Sequence, residues 1–515
     1  MREYLVGYEF LRSSLGLSAF ACALPARVSS VAKITIQEDR LAVPLSVAPQ
    51  TNLPLAHVLF AIKHEGVNLQ ILAQSLQRVT SDEMVAAVLE SPGGKYVRIA
   101  AFLWERFNGV TLEGLPEVVG PYAALFDEDK YIVGPAQRNS RWRVDCNGLG
   151  PIGINGYCPM IEKTLAIQSL LALDTLERAK SFASSLDSDL LDRTLAWSYL
   201  SETQSSFAIE RETPSHSKAE AFAQLLRHAS YPEVMTEEYL VQLQNLSMTN
   251  PLQHDFQFRN RVNWLHNGGS GALGVTYVPP PPDFIPSMMD ALMQMINQPP
   301  ASVNPLVTGA LASFAFVLAH PFMDGNGRLS RFLFHKVVAS AQGLDGMVLP
   351  ISIAMQRNEK EYLAALKSFS APARKLWRVM MIDEGQYDLQ FNGDDAIYRY
   401  WDATACVEFG LRMAEQALEI DLKEETRFLQ KFDLAYKRVS QAIDVNNNTL
   451  SLIIRLCLKN EGSLSKTKQK LFLGKGISQS TISRIEECCT RICNGFDNGE
   501  YDDSSAVDYF LTPKN

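Results

Sequence analysis

The chain contains, at residues 320–331, the stretch His320-Pro321-Phe322-Met323-Asp324-Gly325-Asn326-Gly327-Arg328-Leu329-Ser330-Arg331. An apolar run precedes it, and Asn304 and Pro305 have the residue types of a helix N-cap and a first helical position. Because a proline disfavours helical geometry in the residue before it, this helix is predicted to end at His320.

The glycines of the stretch predict a turn between two helices. Gly325, Asn326 and Gly327 can take the positive φ angles of a tight, exposed turn. Arg328 is then predicted to open a second helix, whose apolar residues follow at helical spacing. The backbone N–H groups of the loop would gather at the N-terminus of that helix, which makes an anion site.

The side chains of the stretch suit nucleotidyl transfer. Asn326 can add an amide donor, and Arg328 and Arg331, three residues apart, can hold terminal phosphates from one helix face. Asp324 offers a hard oxygen ligand for a Mg²⁺ ion shared with phosphates. His320 can take a proton from an attacking hydroxyl. The alternative is a capped helix pair with a surface glycine turn.

The same stretch resembles, at every fixed position, the pattern H-x-F-x-[DE]-G-N-G-R-x-x-R of Fic-domain proteins. The resemblance implies AMPylation, the transfer of AMP from ATP to a protein hydroxyl with Mg²⁺. It makes His320 the general base, Asp324 the metal ligand and Phe322 the anchor of the loop. It assigns nucleotide binding to Gly325, Asn326, Gly327, Arg328 and Arg331.

A second segment, at about residues 200–213, contains Ser206 and Glu210, which are neighbours on one helical face. Alone it reads as an ordinary amphipathic helix. It resembles the inhibitory [ST]-x-x-x-E-[GN] helix that precedes the core in some Fic proteins, whose glutamate pairs with the second motif arginine, here Arg331. Such a pair would occupy the guanidinium that should hold the γ-phosphate. The sequence departs from the pattern at Arg211, where the family has Gly or Asn.

A glycine-rich segment lies at about residues 270–278. Its G-x-G-x-x-G spacing would suggest a dinucleotide site, but prolines 279–282 follow where that site needs a helix. A hairpin is therefore predicted, with an edge strand of the core as the alternative. By resemblance it is the flap that pairs with the target peptide, formed by Gly274, Val275, Thr276, Tyr277 and Val278.

Composition limits the class of protein. The chain has 515 residues, 46% of them hydrophobic, and a formal net charge of −9. An acidic chain has no general attraction for nucleic acid or anionic membranes. The eight cysteines show no metal-binding spacing, which favours reduced thiols and, with ATP chemistry, a cytoplasmic location. The alternative to a cytoplasmic location is that the apolar segment 15–25 forms the core of a signal peptide.

The C-terminal part is predicted to be helical. Residues 452–489 read as helices separated by short glycine turns, with a locally basic composition that allows a winged-helix or helix-turn-helix domain. A packing or dimerisation module is preferred there over a DNA-binding one, because the pattern is loose and the chain acidic. Residues 494–515 are predicted to be an acidic, partly disordered tail.

The sequence thus predicts a mainly α protein with a Fic-type helical core, a small β-hairpin flap and helical flanking domains. The predicted boundaries are 1–195, 196–390 and 391–493. The predicted function is an ATP- and Mg²⁺-dependent protein adenylyltransferase restrained by Glu210, acting on a target protein or on itself. The alternatives are removal of AMP by the same site and a nucleotide-sensing DNA-binding regulator. A homodimer is left open, and no membrane partner is expected.

Overall fold

The computed structural model describes residues 3–248, 254–340 and 346–497. The chain divides into two compact units: Met1–Lys180 with Tyr199–Glu415, and Ser181–Ser198 with Gln416–Asn515. The first unit contains most of the predicted N-terminal region and most of the predicted core, whereas residues 181–198 belong to the second unit. A boundary near residue 195 stays a prediction.

The N-terminal part of the first unit combines a small mixed sheet with helices. The sheet has the order β1-β2-β4-β3, in which β2 and β4 run parallel. Its strands are β1 (Tyr4–Leu5), β2 (Ala26–Val28), β3 (Thr35–Gln37) and β4 (Arg40–Val43). The helices are α1 (Gly7–Ser14), α2 (Pro54–His64), α3 (Leu69–Leu76), α4 (Ser81–Glu90) and α5 (Lys95–Asn108). Further along lie the short parallel pair β5 (Ala123–Ala124) and β6 (Val144–Asp145).

The middle of the chain is helical, as the sequence predicts. It contains α6 (Leu165–Ala172), α7 (Thr175–Ser184), α8 (Ser188–Ile209), α9 (His216–Arg227), α10 (Glu237–Ser247) and α11 (Ile285–Asn297). These are followed by α12 (Pro305–Ala319), α13 (Asn326–Ala339), α14 (Ile351–Arg357), α15 (Glu359–Arg374), α16 (Ala396–Arg399) and α17 (Thr404–Gln416). Helix α12 is buried almost throughout and packs along α13, so these two helices form the centre of the first unit.

Two antiparallel hairpins pack together beside this centre. One joins β7 (Leu265–His266) to β8 (Val275–Tyr277), with a 3-10 turn between them. The other joins β9 (Trp377–Asp383) to β10 (Gln386–Phe391). Val275, Val278 and Trp377 share a small core. The predicted glycine-rich hairpin is thus present, and no dinucleotide-type helix follows it.

The second unit has its own apolar core. A π-helical turn, Ala417–Leu422, leads into α18 (Lys423–Ala442), which is followed by α19 (Asn447–Leu458), α20 (Lys466–Gly474) and α21 (Gln479–Asp497). Its described residues form no strand, so a wing is not found among them. Helix α21 continues to Asp497, which corrects the predicted start of the tail at residue 494; residues 498–515 of that predicted tail lie outside the described residues.

Within the described ranges, none of the helices combines the length and the apolar character needed to cross a membrane.

Candidate active site

Helix α12 delivers His320 to the centre of the first unit. Asn304 caps the helix by accepting a hydrogen bond from the N–H of Leu306. The helix ends at His320, which has a left-handed φ of 52° and donates its backbone N–H to Phe316. The predicted end of the helix is therefore correct. The last carbonyl groups of α12 and that of His320 have no partner within the helix, so other side chains can cap them.

Arg259 supplies that capping, and sequence analysis did not identify it. Its buried guanidinium donates to the carbonyls of His320 (2.7 Å), Ala319 (3.3 Å) and Pro280 (2.6 Å). The hydroxyl of Tyr277 donates to the carbonyl of Leu318 at 2.6 Å. The carbonyl end of α12 is thus satisfied by side chains distant in sequence, which fixes the position of His320.

The ring of His320 is held in one tautomer. Its Nδ1 lies 3.2 Å from the carbonyl oxygen of Val317, and since a carbonyl can only accept, Nδ1 carries the proton. Nε2 is then an acceptor. The residue is 8% exposed, and this burial lowers the pKa of His320 to about 4. At neutral pH the ring is an uncharged base with Nε2 available for a proton.

The motif loop, residues 320–327, is closed by Asn326. Its Oδ1 accepts from the N–H of Phe322 (3.0 Å) and its Nδ2 donates to the carbonyl of the same residue (2.8 Å). The amide is therefore used within the loop through one N–H of Nδ2 and through Oδ1, and donation of the second N–H to phosphate stays a prediction. Phe322 is fully buried between Phe258 and Phe316, in agreement with its predicted role as the anchor.

Helix α13 begins earlier than predicted. Gly325 is its N-cap in the left-handed conformation (φ 79°), and Asn326 and Gly327 are already helical and buried. The predicted exposed turn over residues 325–327 and helix start at Arg328 are thus corrected. The N-terminal backbone N–H groups of α13 still form the anion site that the sequence predicts.

Asp324 lies at the rim of this site with its side chain 45% exposed. Its Oδ1 accepts from the N–H of Gly325 at 2.6 Å and lies 3.9 Å from Nη2 of Arg328. Among the described residues, no group of three or more metal-ligating side chains is found. A Mg²⁺ ion needs only one or two carboxylates when phosphates complete its shell, so this accessible carboxylate fits the predicted role.

Arg331 is fully buried and contacts both predicted inhibitory residues. Its Nε donates to Oγ of Ser206 (2.7 Å), and its Nη2 donates to the carbonyl of Ser206 (2.8 Å) and to Oε1 of Glu210 (2.9 Å). The sequence-predicted pair between Glu210 and Arg331 is therefore present. Nη1 of Arg331 makes no hydrogen bond with any residue that the structure describes.

The carboxylate of Glu210 lies directly over the N-terminus of α13. A Cβ atom added to Gly327 would come within 1.9 Å of Oε1 of Glu210 and 3.3 Å of Nη1 of Arg331. The carboxylate thus occupies the position where the N-terminus of a helix attracts an anion.

A second carboxylate, which sequence analysis missed, holds the other motif arginine. Oε2 of Glu212 accepts from Nη1 of Arg328 at 3.0 Å, and the same Nη1 donates to the carbonyl of Ser247 at 3.1 Å. The guanidinium stacks over the ring of Phe207. Both arginines of the motif are therefore paired with acidic residues of one segment, residues 206–212, which we call the inhibitory segment.

The end of α8 explains the departure at Arg211. The N–H of Arg211 donates to Ala208 and the N–H of Glu212 donates to Phe207, which is the hydrogen-bond pattern of a Schellman helix end. Arg211 has the left-handed φ of 59° that this end requires. Because Gly and Asn take that conformation most easily, the residue preference of the pattern reflects backbone geometry, and Arg211 takes it with strain.

A buried network fixes α8 behind the segment. Glu202 is fully buried, lies 2.9 Å from Nε2 of His335 on α13, and accepts from the N–H and hydroxyl of Ser352. Burial raises the pKa of Glu202, but His335 and Ser352 outweigh it, so the pKa is lowered overall. This contact is a further site feature that spacing along the sequence does not reveal.

The predicted flap residues are mostly anchored. Val275, Tyr277 and Val278 are buried, and only Thr276 is exposed in the strand β8. The carbonyl of Val275 accepts from Nε of Arg374 at 2.9 Å. Gly274, at the start of the strand, is buried as well. Docking of a target along this strand stays a prediction.

Comparison with known proteins gives one consistent result. Residues 234–338, which contain the motif loop and most of α13, match the Fic/DOC family. The chain contains a Fic domain. Relatives of this Fic domain include Protein adenylyltransferase Fic of Drosophila ananassae, 33% identical over 103 residues, and Protein adenylyltransferase fic-1 of Caenorhabditis elegans, 28% identical over 91 residues. These matches cover 20% and 18% of this chain and only 18% and 17% of the relatives.

Another relative, a Fido domain-containing protein of Dictyostelium discoideum, is 35% identical over 88 residues, which cover 17% of this chain and 57% of that protein. Among solved structures, a Fic family protein from Desulfovibrio desulfuricans aligns over 65% of this chain and 87% of its own, with 18% identity and a TM-score of 0.37. Residues 134–508 of Fic-1 from C. elegans align over 72% of this chain and 90% of that chain, with 16% identity and a TM-score of 0.33.

Proposed function

We propose that the chain is a protein adenylyltransferase that transfers AMP from ATP to a side-chain hydroxyl of a protein. The observation that carries the proposal is a neutral, buried histidine placed beside the N-terminus of a helix that bears two buried arginines. Two relatives of the Fic domain are named protein adenylyltransferases. Since the matched regions span a small part of those proteins, the activity and the target of this chain rest on the site itself.

The proposed reaction uses each group once. The acceptor hydroxyl gives its proton to Nε2 of His320 while its oxygen bonds to the α-phosphorus. The bond from that phosphorus to the oxygen bridging to the β-phosphate breaks, and pyrophosphate leaves. The N-terminal N–H groups of α13, including that of Gly327, bind the negative charge, and Arg328 and Arg331 hold the outer phosphates. Asp324 would hold Mg²⁺, which neutralises phosphate charge when bound.

The same contacts support self-inhibition. Glu210 and Glu212 occupy the two arginines that the outer phosphates of ATP require, and Glu210 also covers the anion site. Productive binding of ATP therefore requires the inhibitory segment to move. Strand β8, in which Thr276 is exposed, is the proposed docking strand for the target peptide.

The remaining elements of the proposal follow from this chemistry. The target is a protein with an accessible Ser, Thr or Tyr hydroxyl, and self-modification is included. We place the reaction in the cytoplasm, where ATP is abundant and thiols stay reduced. A homodimer is compatible with the site, since none of its residues requires a second copy.

The test is the intact mass of the protein after incubation with Mg²⁺ and ATP, for wild type, Glu210→Gly and His320→Ala. We expect an adenylyl adduct that increases in Glu210→Gly and is absent in His320→Ala. Asp324→Ala should lose the adduct at every Mg²⁺ concentration. An adduct of unchanged yield in His320→Ala would overturn the role of the histidine, and loss of AMP from a pre-modified protein, dependent on Glu210, would favour the reverse reaction.

A further inference from the structure

We infer that the helix-turn-helix formed by α20 and α21 binds double-stranded DNA. This inference concerns the second unit and does not depend on the activity proposed for the Fic domain. It rests on the local charge, on the side chains that the two helices expose, and on the way the pair is fixed.

The charge of this part differs from that of the whole chain. Residues 462–485 contain five cations, Lys466, Lys468, Lys470, Lys475 and Arg484, and no aspartate or glutamate. All five are exposed. In a chain with a net charge of −9, this concentration produces a local positive surface that complements a phosphate backbone.

The two helices have the connection that a helix-turn-helix requires. Four residues, 475–478, separate α20 from α21, and Gly476 among them has a φ of 85°. The hydroxyl of Ser478 accepts from the N–H of Thr481 at 3.1 Å and caps α21. A turn of this length with a left-handed glycine is typical of DNA-binding helix pairs.

Glu486, the first acidic residue after residues 462–485, fixes the pair. Oε1 of Glu486 accepts from the N–H of Leu464 and from Nε2 of Gln469, both at 2.8 Å. Phe472 of α20 and Ile482 and Ile485 of α21 lie in the common core of the unit. The two helices therefore present their outer faces in a fixed relation, as recognition of a regular duplex needs.

The outer face of the first turns of α21 is made of side chains that read base edges. Gln479, Ser480, Ser483 and Arg484 are exposed, while Ile482 and Ile485 point into the core. Arginine pairs with guanine, glutamine with adenine, and serine with either in the major groove. In the helix-turn-helix geometry the second helix lies in that groove, and here the cations of α20 and of the turn would contact the flanking phosphates.

The exposed side chains of this face favour duplex DNA over single-stranded nucleic acid and over a membrane surface. Binding of single-stranded nucleic acid relies on exposed aromatic rings for stacking, and the sequence from 462 to 485 has one aromatic residue, Phe472, which is buried. Beside the cations, α20 exposes two apolar side chains, Leu471 and Leu473, and α21 exposes amide and hydroxyl groups, which together give less apolar area than insertion into a membrane surface requires.

The experiment is fluorescence anisotropy of a labelled mixed-sequence duplex titrated with the full chain at increasing NaCl, followed by selection of preferred sequences from a random library. Lys466→Glu with Lys470→Glu should weaken duplex binding about tenfold or more, and the log–log salt slope should fall by about 0.9 for each lost phosphate contact. Gln479→Ala with Arg484→Ala should leave the salt slope nearly unchanged and remove the sequence preference.

The matched control is Lys33→Glu with Lys360→Glu, which changes the net charge equally at exposed positions of the first unit. It should bind DNA like the wild type, and circular dichroism of each variant checks the fold. The inference is overturned if wild type shows no duplex binding at low salt, or if the control loses as much affinity as the α20 variant. Equal or tighter binding to single-stranded RNA or to phosphatidylserine–phosphatidylcholine vesicles would overturn it as well.

Discussion

The motif loop and the inhibitory segment meet at the same arginines but are held in different ways. The motif loop is fixed by buried hydrogen bonds, from Asn326 to Phe322 and from Arg259 to the end of α12. The inhibitory segment contacts Arg331 through the buried Ser206 and through the carboxylate of Glu210, and it contacts Arg328 through the carboxylate of Glu212; the two carboxylate side chains are 32% and 35% exposed. We infer that the carboxylate end of the segment is displaced more easily than the loop, because ion pairs of partly exposed side chains contribute less free energy than fully buried hydrogen-bond networks.

The largest effect is expected from a substitution that opens the motif loop. Asn326→Ala removes both bonds that close the loop, and misplacing a reacting group by about 1 Å costs about 100-fold in rate. Adduct formation in the Glu210→Gly background should therefore fall by about that factor, measured by intact mass over time. The exposed Asn139→Ala is the control and should have no effect. A variant of Asn326 that keeps its transfer rate would show that the loop holds its shape without this side chain.

The second-largest effect is expected at Glu210, the carboxylate that contacts Arg331. Glu210→Gln keeps the size of the side chain and removes the charge that binds Arg331. Because Glu210 both pairs with Arg331 and covers the anion site of α13, whereas Glu212 only pairs with Arg328, loss of this charge should raise the transfer rate about tenfold. Glu90→Gln, an exposed change far along the chain, is the control. A rate equal to that of wild type would mean that Glu210 does not restrain ATP.

Glu212→Gln tests whether the second carboxylate shares the restraint. Because this side chain is partly exposed, the pair with Arg328 contributes only about 0.5 kcal/mol, which predicts a rise in rate of about two- to threefold. The double variant with Glu210→Gln measures coupling between the two pairs. If the double variant is no faster than Glu210→Gln alone, Glu212 has a structural role only.

Arg211→Gly should stabilise the inhibitory segment in the conformation observed here. Relief of the left-handed strain is expected to stabilise the protein by about 1 kcal/mol and to lower the basal transfer rate a few-fold, because the segment keeps its inhibitory conformation more often. Thermal unfolding and the adduct rate measure the two effects. Glu461→Gly, at another exposed left-handed position, should raise stability without changing transfer. Faster transfer in Arg211→Gly would contradict the assignment.

The smallest expected effect is that of pH on His320, the proposed catalytic base. With a pKa of about 4, His320 stays neutral as the pH falls from 8 to 6, so transfer by Glu210→Gly should be nearly constant there and half lost near pH 4. The stability of the protein should depend on pH in the opposite sense to that caused by a histidine paired with an acid. Because the unfolded chain binds the proton of His320 more readily than the folded chain, the free energy of unfolding falls as the pH drops from about 6.5 toward 4. A loss of transfer centred at pH 6.5 would place the ring in a solvated environment.

Sequence alone predicted the features that depend on nearby residues or on a known family pattern. The end of α12 follows from the proline after His320, and the pairing of Glu210 with Arg331 follows from the resemblance to inhibited Fic proteins. The helix start at Arg328 was wrong because Asn326 bonds back to Phe322 and draws Gly327 into the helix. Arg259 and Glu212 were missed, since no spacing connects them with the groups that they contact in the fold.

The absence of a side chain at Gly327 limits which substitutions could relieve the proposed self-inhibition. A Cβ there would collide with the carboxylate of Glu210, and it would also fill the space that a phosphate needs. Replacements at this glycine should therefore never appear among hyperactive alleles, although they displace the inhibitor. If the proposed mechanism holds, a genetic screen for gain of function should return changes in residues 206–212 and none at Gly327. Selection could then adjust the inhibitory segment without changing the motif loop.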